Sequence, residues 1–392
     1  MQIIELTELQ FKNYSNIHSK KNYKQSIEYA KLEETKGYKL LFLGLADEQN
    51  NIHAATLILE KNINGKHKYG YIPNGYLLNF FNINLLEIFT KELKQYLKKL
   101  NYIYIRLTPN IDYQIYNSNF ILKENNSNII NELKKLGYEY IPNTSKYKMI
   151  INNTNISNAF QSFKRSLRRN INDCLKKGIT VHKGNNNEID EFLNLIDNKD
   201  YFKQMSEIFN NPNNRFEFYL AKIIPETYIN NYRYLLKKEQ INNDRLNKKL
   251  KDPNVKKTNN LLNKKMTSDR LLSKYHQEII NGTNIYKLYP SGTILSAVGI
   301  ITNKKDVTFI TEGYKEEFKN IRSISMIKWE IIKKLLSYNY KTFDLGNISV
   351  NNTYTTKAGF NGNIIEYSNT FDLPINEMLY KINNFMKKDQ KK

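Results

Sequence analysis

The stretch from 228 to 281 constrains the fold more than any other part of the chain. It contains no glycine, its apolar residues recur at loose heptad spacing (Tyr228, Tyr232, Leu235, then Leu272, Tyr275, Ile279), and Asp252-Pro253-Asn254 interrupts it midway. A glycine-free segment with that period is helical, and a proline-centred break folds it back on itself. The spacing predicts two antiparallel helices joined by a tight turn, an arm projecting from whatever body the rest of the chain builds. Between 233 and 274 the arm carries thirteen basic and four acidic side chains, with Lys248 and Lys249 among the basic ones. Such a hairpin suits the backbone of RNA, where every phosphate neutralised releases a counterion. It equally suits a solvated coiled coil.

The body reads as α/β on both sides of the arm. A helix over 25–36 closes at Gly37, strands follow at 40–45 and 53–60, and Pro73-Asn74-Gly75-Tyr76 has the composition of a turn. A helix over 85–100 places Leu86, Phe89, Leu93, Tyr96, Leu97 and Leu100 at helical spacing, and a strand at 102–107 comes next. Residues 111–126 are polar and read as loop, 127–136 as a short helix, 145–151 as a strand. Ser157 caps an expected helix over 158–177 with Phe160, Phe163, Leu167, Ile171 and Cys174 on one stripe. Its other face carries Lys164, Arg165, Arg168, Arg169, Lys176 and Lys177. One-sign charge of this kind either keeps a face solvated or binds phosphate, for which the guanidinium fork is well shaped. A helix opening near 213 sets Arg215 and Tyr219 four apart on one face, where the arginine can also simply pack across the ring.

After the arm the order repeats: strands at 286–289, 293–302 and 306–311, then a helix over 323–337 with Ile324, Ile327, Ile331 and Leu335 inward. The expected division is a first unit over 1–150, a second over 151–227 and 283–380, the arm at 228–282 and a basic tail at 381–392. A length of 392 residues suits two such units. The net charge of +22 attracts polyanions such as RNA, nucleotides or an anionic membrane surface, although heavy Asn, Lys, Ile and Tyr usage also fits A/T-rich codons. One cysteine, Cys174, leaves no internal disulfide and suits a reducing cytoplasm; it sits on the buried stripe and reads as structural. Five scattered histidines give no metal-ligand spacing, so no metal is expected. No basic n-region opens the chain and no apolar run reaches about 18 residues, so a cytoplasmic protein that at most touches a membrane is expected.

The stretch 340–376, YKTFDLGNISVNNTYTTKAGFNGNIIEYSNTFDLPIN, reads as two strands around a polar loop. The first ends at Gly346, free to take positive φ, with Asp344 at the strand end; the second runs over 363–371. Lys357 lies just ahead of Gly359 and Gly362. From chemistry alone it is either an ordinary solvated lysine or an ammonium that holds developing negative charge in a cleft.

FDLGNIS, KAGFNG and EYSNTFDLPIN together resemble the C-terminal signature of the FemABX peptidyltransferases, which carry amino acids from aminoacyl-tRNA onto the stem peptide of peptidoglycan precursors. KQSIEYAK, YIPNGYLLNF, IRLTP and FKRSLRRNINDCLKKGITV are similar to further family segments, so the resemblance spans nearly the whole chain. It implies two GNAT-like acyltransferase units, the second interrupted by the arm, and Lys357 as the catalytic cation. It also implies precursor-binding roles for Arg215, Tyr219, Lys31 and Tyr314. Lys164, Arg165, Arg168 and Arg169, with Lys248 and Lys249 on the arm, are implied as tRNA contacts. The implied partners are aminoacyl-tRNA, lipid II or a UDP-MurNAc-peptide, and peripherally the membrane; no cofactor is implied. Two departures stand out: Asn74 and Tyr76 replace the usual Arg and Pro, and Thr108 stands where an aspartate is common. An acetyl-CoA enzyme needs a glycine-rich turn before the helix at 323, and GYKEEFKNIRSIS has no glycine after Gly313. No nucleophile triad is present, and none is needed against an aminoacyl ester. The alternatives are a tRNA-dependent transferase acting on protein N-termini and a non-enzymatic RNA-binding protein.

Overall fold

The computed structural model describes residues 1–63, 65–142, 147–152, 155–254, 258–348 and 357–389. The first part of the chain gives β1 (Gln2–Glu5), α1 (Glu8–Ile17), α2 (Ile27–Glu34), β2 (Lys39–Ala46), β3 (Ile52–Asn62), β4 (Lys68–Gly75), α3 (Ile83–Lys99) and β5 (Tyr102–Pro109). Next come β6 (Asp112–Tyr116), β7 (Leu122–Asn125), α4 (Ser127–Lys135), β8 (Glu139–Ile141), β9 (Tyr147–Asn152), α5 (Ile156–Ser162), α6 (Arg165–Lys176) and β10 (Thr180–Lys183). They lead through α7 (Ile189–Leu193), α8 (Lys199–Ile208), β11 (Asn210–Asn211) and β12 (Asn214–Ile223) to α9 (Pro225–Lys251) and α10 (Asn259–Leu288). The chain closes with β13 (Thr293–Asn303), β14 (Asp306–Tyr314), α11 (Ser323–Ser337), β15 (Thr342–Ile348), β16 (Asn363–Tyr367), β17 (Thr370–Pro374) and α12 (Glu377–Asp389).

One path is laid down twice. β2, β3 and β4 pair antiparallel in sequence, α3 crosses over, and β5 returns parallel to β4. β12, β13 and β14 do the same, α11 crosses over, and β15 returns parallel to β14. Crossover helices bury an apolar stripe on the sheet, here Leu86, Phe89, Leu93 and Leu97 from α3 and Ile327, Ile331 and Leu335 from α11. The copies differ where it matters. β4 and β5 stay paired from Lys68 to Gly75, whereas β14 and β15 pair only from Asp306 to Thr308 and then splay.

The two sheets exchange strands. The hairpin β6–β7 lies in the second sheet beside β16, and β17, from the far end of the chain, lies in the first between β5 and β8. A shared core joins the units, with Phe42 and Leu57 packed in one cluster with Phe192, Phe216 and Leu220. Two expectations change here. Residues 111–126 are a hairpin rather than loop, with β6 half-buried and β7 exposed, because β16 supplies the partner their polar side chains conceal. The expected strand over 363–371 is two strands, broken at Asn369 with φ 69°, one for each sheet.

The arm is a pair of long helices inserted between the adjacent strands β12 and β13. Asn243 is buried between them, donating to Ser268 Oγ at 3.0 Å and Asp269 Oδ1 at 2.8 Å. α10 continues to Leu288 through most of 286–289, the stretch expected as a strand, and Tyr289 caps it, its N–H donating to the Ile285 carbonyl. The expected helix over 158–177 is interrupted at Phe163, which is extended, and Asn155 rather than Ser157 caps its first part. Positions 145–146 of the expected strand, 349–356 of the polar loop and 390–392 of the tail lie outside the described residues.

Candidate active site

Once β14 and β15 part company, their facing edges line a cleft of about 500 Å³. Thr308 to Glu312 form one wall and Asp344 to Asn347 another, with Tyr23, Lys24, Lys148, Tyr201 and Tyr367 completing the rim. Gly346 takes φ 77°, the conformation that glycine adopts without penalty. Space is not what selects glycine there, since an added Cβ would stand at an ordinary contact distance, 3.6 Å, from Lys357 Nζ. The strand end is pinned by the Gly346 N–H, which donates to Asp344 Oδ1 at 2.8 Å.

Lys357 is 9% exposed and its Nζ donates to the Asn347 carbonyl at 2.8 Å. Its backbone is anchored by the next turn of chain: Ala358 and Phe360 are buried, and the Phe360 ring lies 5.1 Å from that of Phe163. Burial, and then the Lys328 ammonium, lowers the Lys357 pKa to about 8, while Glu312 and Asp344 oppose the shift. Lys328 is itself almost wholly buried and ion-paired with Glu312. Burial alone would raise the Glu312 carboxyl, yet Lys328, with help from Lys357, holds it below its ordinary value. Around the cleft, burial lowers Lys24, whereas Asp344 and Asp112 raise Lys148 against the effect of burial.

Behind this wall lies a second cleft of about 760 Å³, lined by Ser166 and Asn170 of α6, Tyr314, Lys319, Arg322 and the first residues of α11. Glu312 and Lys357 line both clefts. The expected absence of a glycine-rich turn takes the form of a 3₁₀ turn over Glu316–Ile321, followed by Arg322 at φ 57°. α6 abuts the wall because Lys164 N–H donates to the Gly359 carbonyl at 2.8 Å. Gly359 leaves room for Leu167, whose Cβ would be 3.0 Å from an added side chain. Gly359 and Gly362 are therefore packing positions, and neither takes positive φ.

The structure brings together some of the expected residues and not others. Lys357 and Tyr314 line the second cleft. Arg215 and Tyr219 lie on β12, not on a helix; in a strand, residues four apart share a face but stand roughly 13 Å from each other. Arg215 is exposed, while Tyr219 is buried and its hydroxyl donates to Glu217 at 3.0 Å; neither lines the Lys357 clefts. Lys31 is exposed and ion-paired to Glu8 at 3.5 Å. Lys164, Arg165 and Arg169 are exposed on α6, Arg168 is half-buried with its Nε unpartnered, and Lys248 and Lys249 are exposed near the end of α9. Lys177, on the same basic face, is withdrawn into the base of the arm, where it pairs with Glu278 and donates to the Tyr228 hydroxyl at 2.7 Å. Cys174 donates to the Ile321 carbonyl at 3.4 Å, and burial pushes its thiol up to about 12.

Motif residues also explain themselves. Gln25 of KQSIEYAK accepts from Leu57 N–H and donates to the Pro73 carbonyl, both at 2.8 Å, stapling β3 to β4. Ser26 caps α2, and Glu28 accepts from Asn214 Nδ2 at 2.8 Å, joining the two units. Thr108, in place of the usual aspartate, accepts from Asn74 N–H at 3.0 Å and so holds the residue that lines the first cleft.

A FemAB family model matches residues 6–388. The chain belongs to the FemAB family. Its relatives include "Aminoacyltransferase FemA" of Staphylococcus epidermidis, 24% identical over 426 residues and 100% of both chains, and the same-named protein of Staphylococcus aureus strain bovine RF122, 23% identical with 99% of each covered. A crystal structure of FemX superposes with a TM-score of 0.73 at 16% identity, over 97% of this chain and 99% of that one. This FemAB protein is thus an aminoacyltransferase, built on the repeated α/β path its motifs implied. Sequence reasoning passed over Glu312, Lys328, Lys148 and Lys24. Lys328 had a signal: it falls four after Ile324, a lysine inside an apolar stripe.

Proposed function

We propose that this FemAB enzyme transfers an amino acid from aminoacyl-tRNA to the stem-peptide amine of a peptidoglycan precursor at the inner face of the membrane. One observation supports the reading above the others: Lys357 and Glu312 form a wall common to two clefts. Two substrates entering from opposite sides meet at one ammonium. The cleft beside α6 and the N-terminus of α11 takes the tRNA 3′ end, whose phosphates suit the exposed Lys164, Arg165 and Arg169 and the helix dipole. The cleft rimmed by Lys24, Lys148 and the tyrosines takes the acceptor, and Asp344 and Glu312 are its carboxylates for the incoming amine.

In the reaction the amine nitrogen bonds to the ester carbonyl carbon, whose oxygen becomes an oxyanion stabilised by Lys357. The carbon–oxygen bond to the ribose then breaks, and the proton released by the amine ends on the ribose hydroxyl. Juxtaposing amine and ester supplies on the order of 7–11 kcal/mol in favourable intramolecular cases, so no covalent intermediate on the protein is required. The test is incubation with charged tRNA and either a muropeptide precursor or a peptide. A precursor heavier by one aminoacyl residue is the expected product. Modification of the peptide alone would reassign the acceptor to protein N-termini, and tRNA bound without loss of its ester would leave a binding protein.

A further inference from the structure

The last helix has two faces. α12 is docked by Tyr380, 3% exposed, whose ring lies 5.4 Å from Tyr104 and whose hydroxyl donates to Asp372 Oδ2 at 3.1 Å. On the other side Met378, Ile382 and Phe385 are 69%, 49% and 68% exposed. Their i, i+4, i+7 spacing stacks them in one stripe, about half a turn around the helix from Tyr380. Large apolar side chains scattered singly over a surface need no explanation, but a continuous stripe marks a contact.

The charge around the stripe says what kind. Lys381 flanks it and is exposed. Glu377 at the start of α12 reaches Lys94 of α3, 3.8 Å away, and α3 also exposes Lys91, Lys98 and Lys99. Beyond Phe385 the sequence MKKDQKK holds four lysines against one aspartate. A second copy of this chain would set the same lysines against these, a like-charge contact, and itself carries a net +22. An anionic bilayer supplies both an apolar layer for the stripe and phosphates for the lysines. No helix among the described residues is long and apolar enough to cross a membrane, so the contact is one that lies in the interface.

We infer that α12 docks the protein on anionic phospholipid surfaces, with Met378, Ile382 and Phe385 entering the headgroup boundary. This membrane site goes beyond the transfer reading and does not depend on it. It is tested with the full chain by sedimentation with phosphatidylcholine vesicles, with and without phosphatidylglycerol, comparing the parent with the double variant Ile382→Ser/Phe385→Ser. Both side chains point away from the Tyr380 contact, so the variant keeps its fold, checked by circular dichroism and by transfer to a soluble acceptor. Expected is binding only where phosphatidylglycerol is present, weakened by salt, and reduced about tenfold or more in the variant. The proposal is overturned if the variant sediments like the parent or if neutral vesicles bind equally well. It is overturned too if light scattering shows a parent dimer that the variant abolishes, which would give the stripe to a second copy.

Discussion

At the scale of the residue, Lys357 is a cation held where a cation is costly. Its pKa falls from an ordinary 10.5 to about 8, so the folded protein binds fewer protons than the unfolded chain between those values. The cost of charging Lys357 in the fold is therefore fully present below pH 8, and stability rises as pH climbs from 8 toward 10.5. Lys357→Met should abolish transfer by at least about a hundredfold, the scale of losing one oxyanion donor, while precursor titration persists and the melting temperature at pH 7 does not fall. A variant with undiminished turnover, or one that is simply unstable, would remove the lysine from chemistry. In the parent, transfer should decline as pH rises through about 8 and the ammonium is lost. Glu312→Gln should leave the nearly buried Lys328 without its counter-charge, at a cost in urea denaturation below the about 3–5 kcal/mol of a fully buried pair because the Glu312 side chain is 37% exposed, and shift that alkaline limb to lower pH. Adding Lys328→Met to Glu312→Gln should restore most of the stability, since the pair is then removed as a unit.

At the scale of the element, what could be read from the sequence was whatever its own periodicity encodes. The arm, α3 and α11 carry helical stripes that no partner has to complete; α3 and α11 lie within two residues of expectation, while the arm's second helix runs on to Leu288 through the expected strand. β6–β7 and β12 escape such a reading because their identity comes from outside: β12 pairs with β13 along its length and with β10 over 219–222, and β6 lies beside a strand some 250 residues away in the chain. Within the site, Asp344 was visible at a strand end, and Lys357 stood out ahead of Gly359 and Gly362 through the motif it belongs to. The splay of β14 from β15 was not, since unpaired strand edges leave no compositional mark. The arm's charge now has an address: Lys248 and Lys249 are exposed near its tip, while Lys177 is spent on its base. Lys248→Glu/Lys249→Glu should weaken tRNA binding and flatten its dependence on salt by about one log unit for each phosphate that a lysine no longer neutralises. An unchanged salt slope would make the arm a solvated coiled coil.

At the scale of the whole molecule, the strand exchange decides how the protein comes apart. Each sheet holds a piece of chain from the other unit, β6–β7 in the second and β17 in the first, and a common core lies between them. Neither unit can unfold and leave the other's sheet complete. Chains of this length often unfold in steps, domain by domain; here a single calorimetric transition is expected, with van't Hoff and calorimetric enthalpies in agreement. The seam is best tested at Arg106. Its guanidinium makes a two-point contact with Asp372 of β17, at 2.8 Å and 2.9 Å, and the carboxylate is buried. Arg106→Met leaves that carboxylate without a counterion in the first sheet, which should cost about 3–5 kcal/mol. If the units are coupled through exchanged strands, the substitution must lower the whole transition, including the signal of Trp329, which sits in the second unit beside Phe163. A tryptophan signal that melts at the parent temperature while circular dichroism shows an earlier step would mean the two units come apart independently.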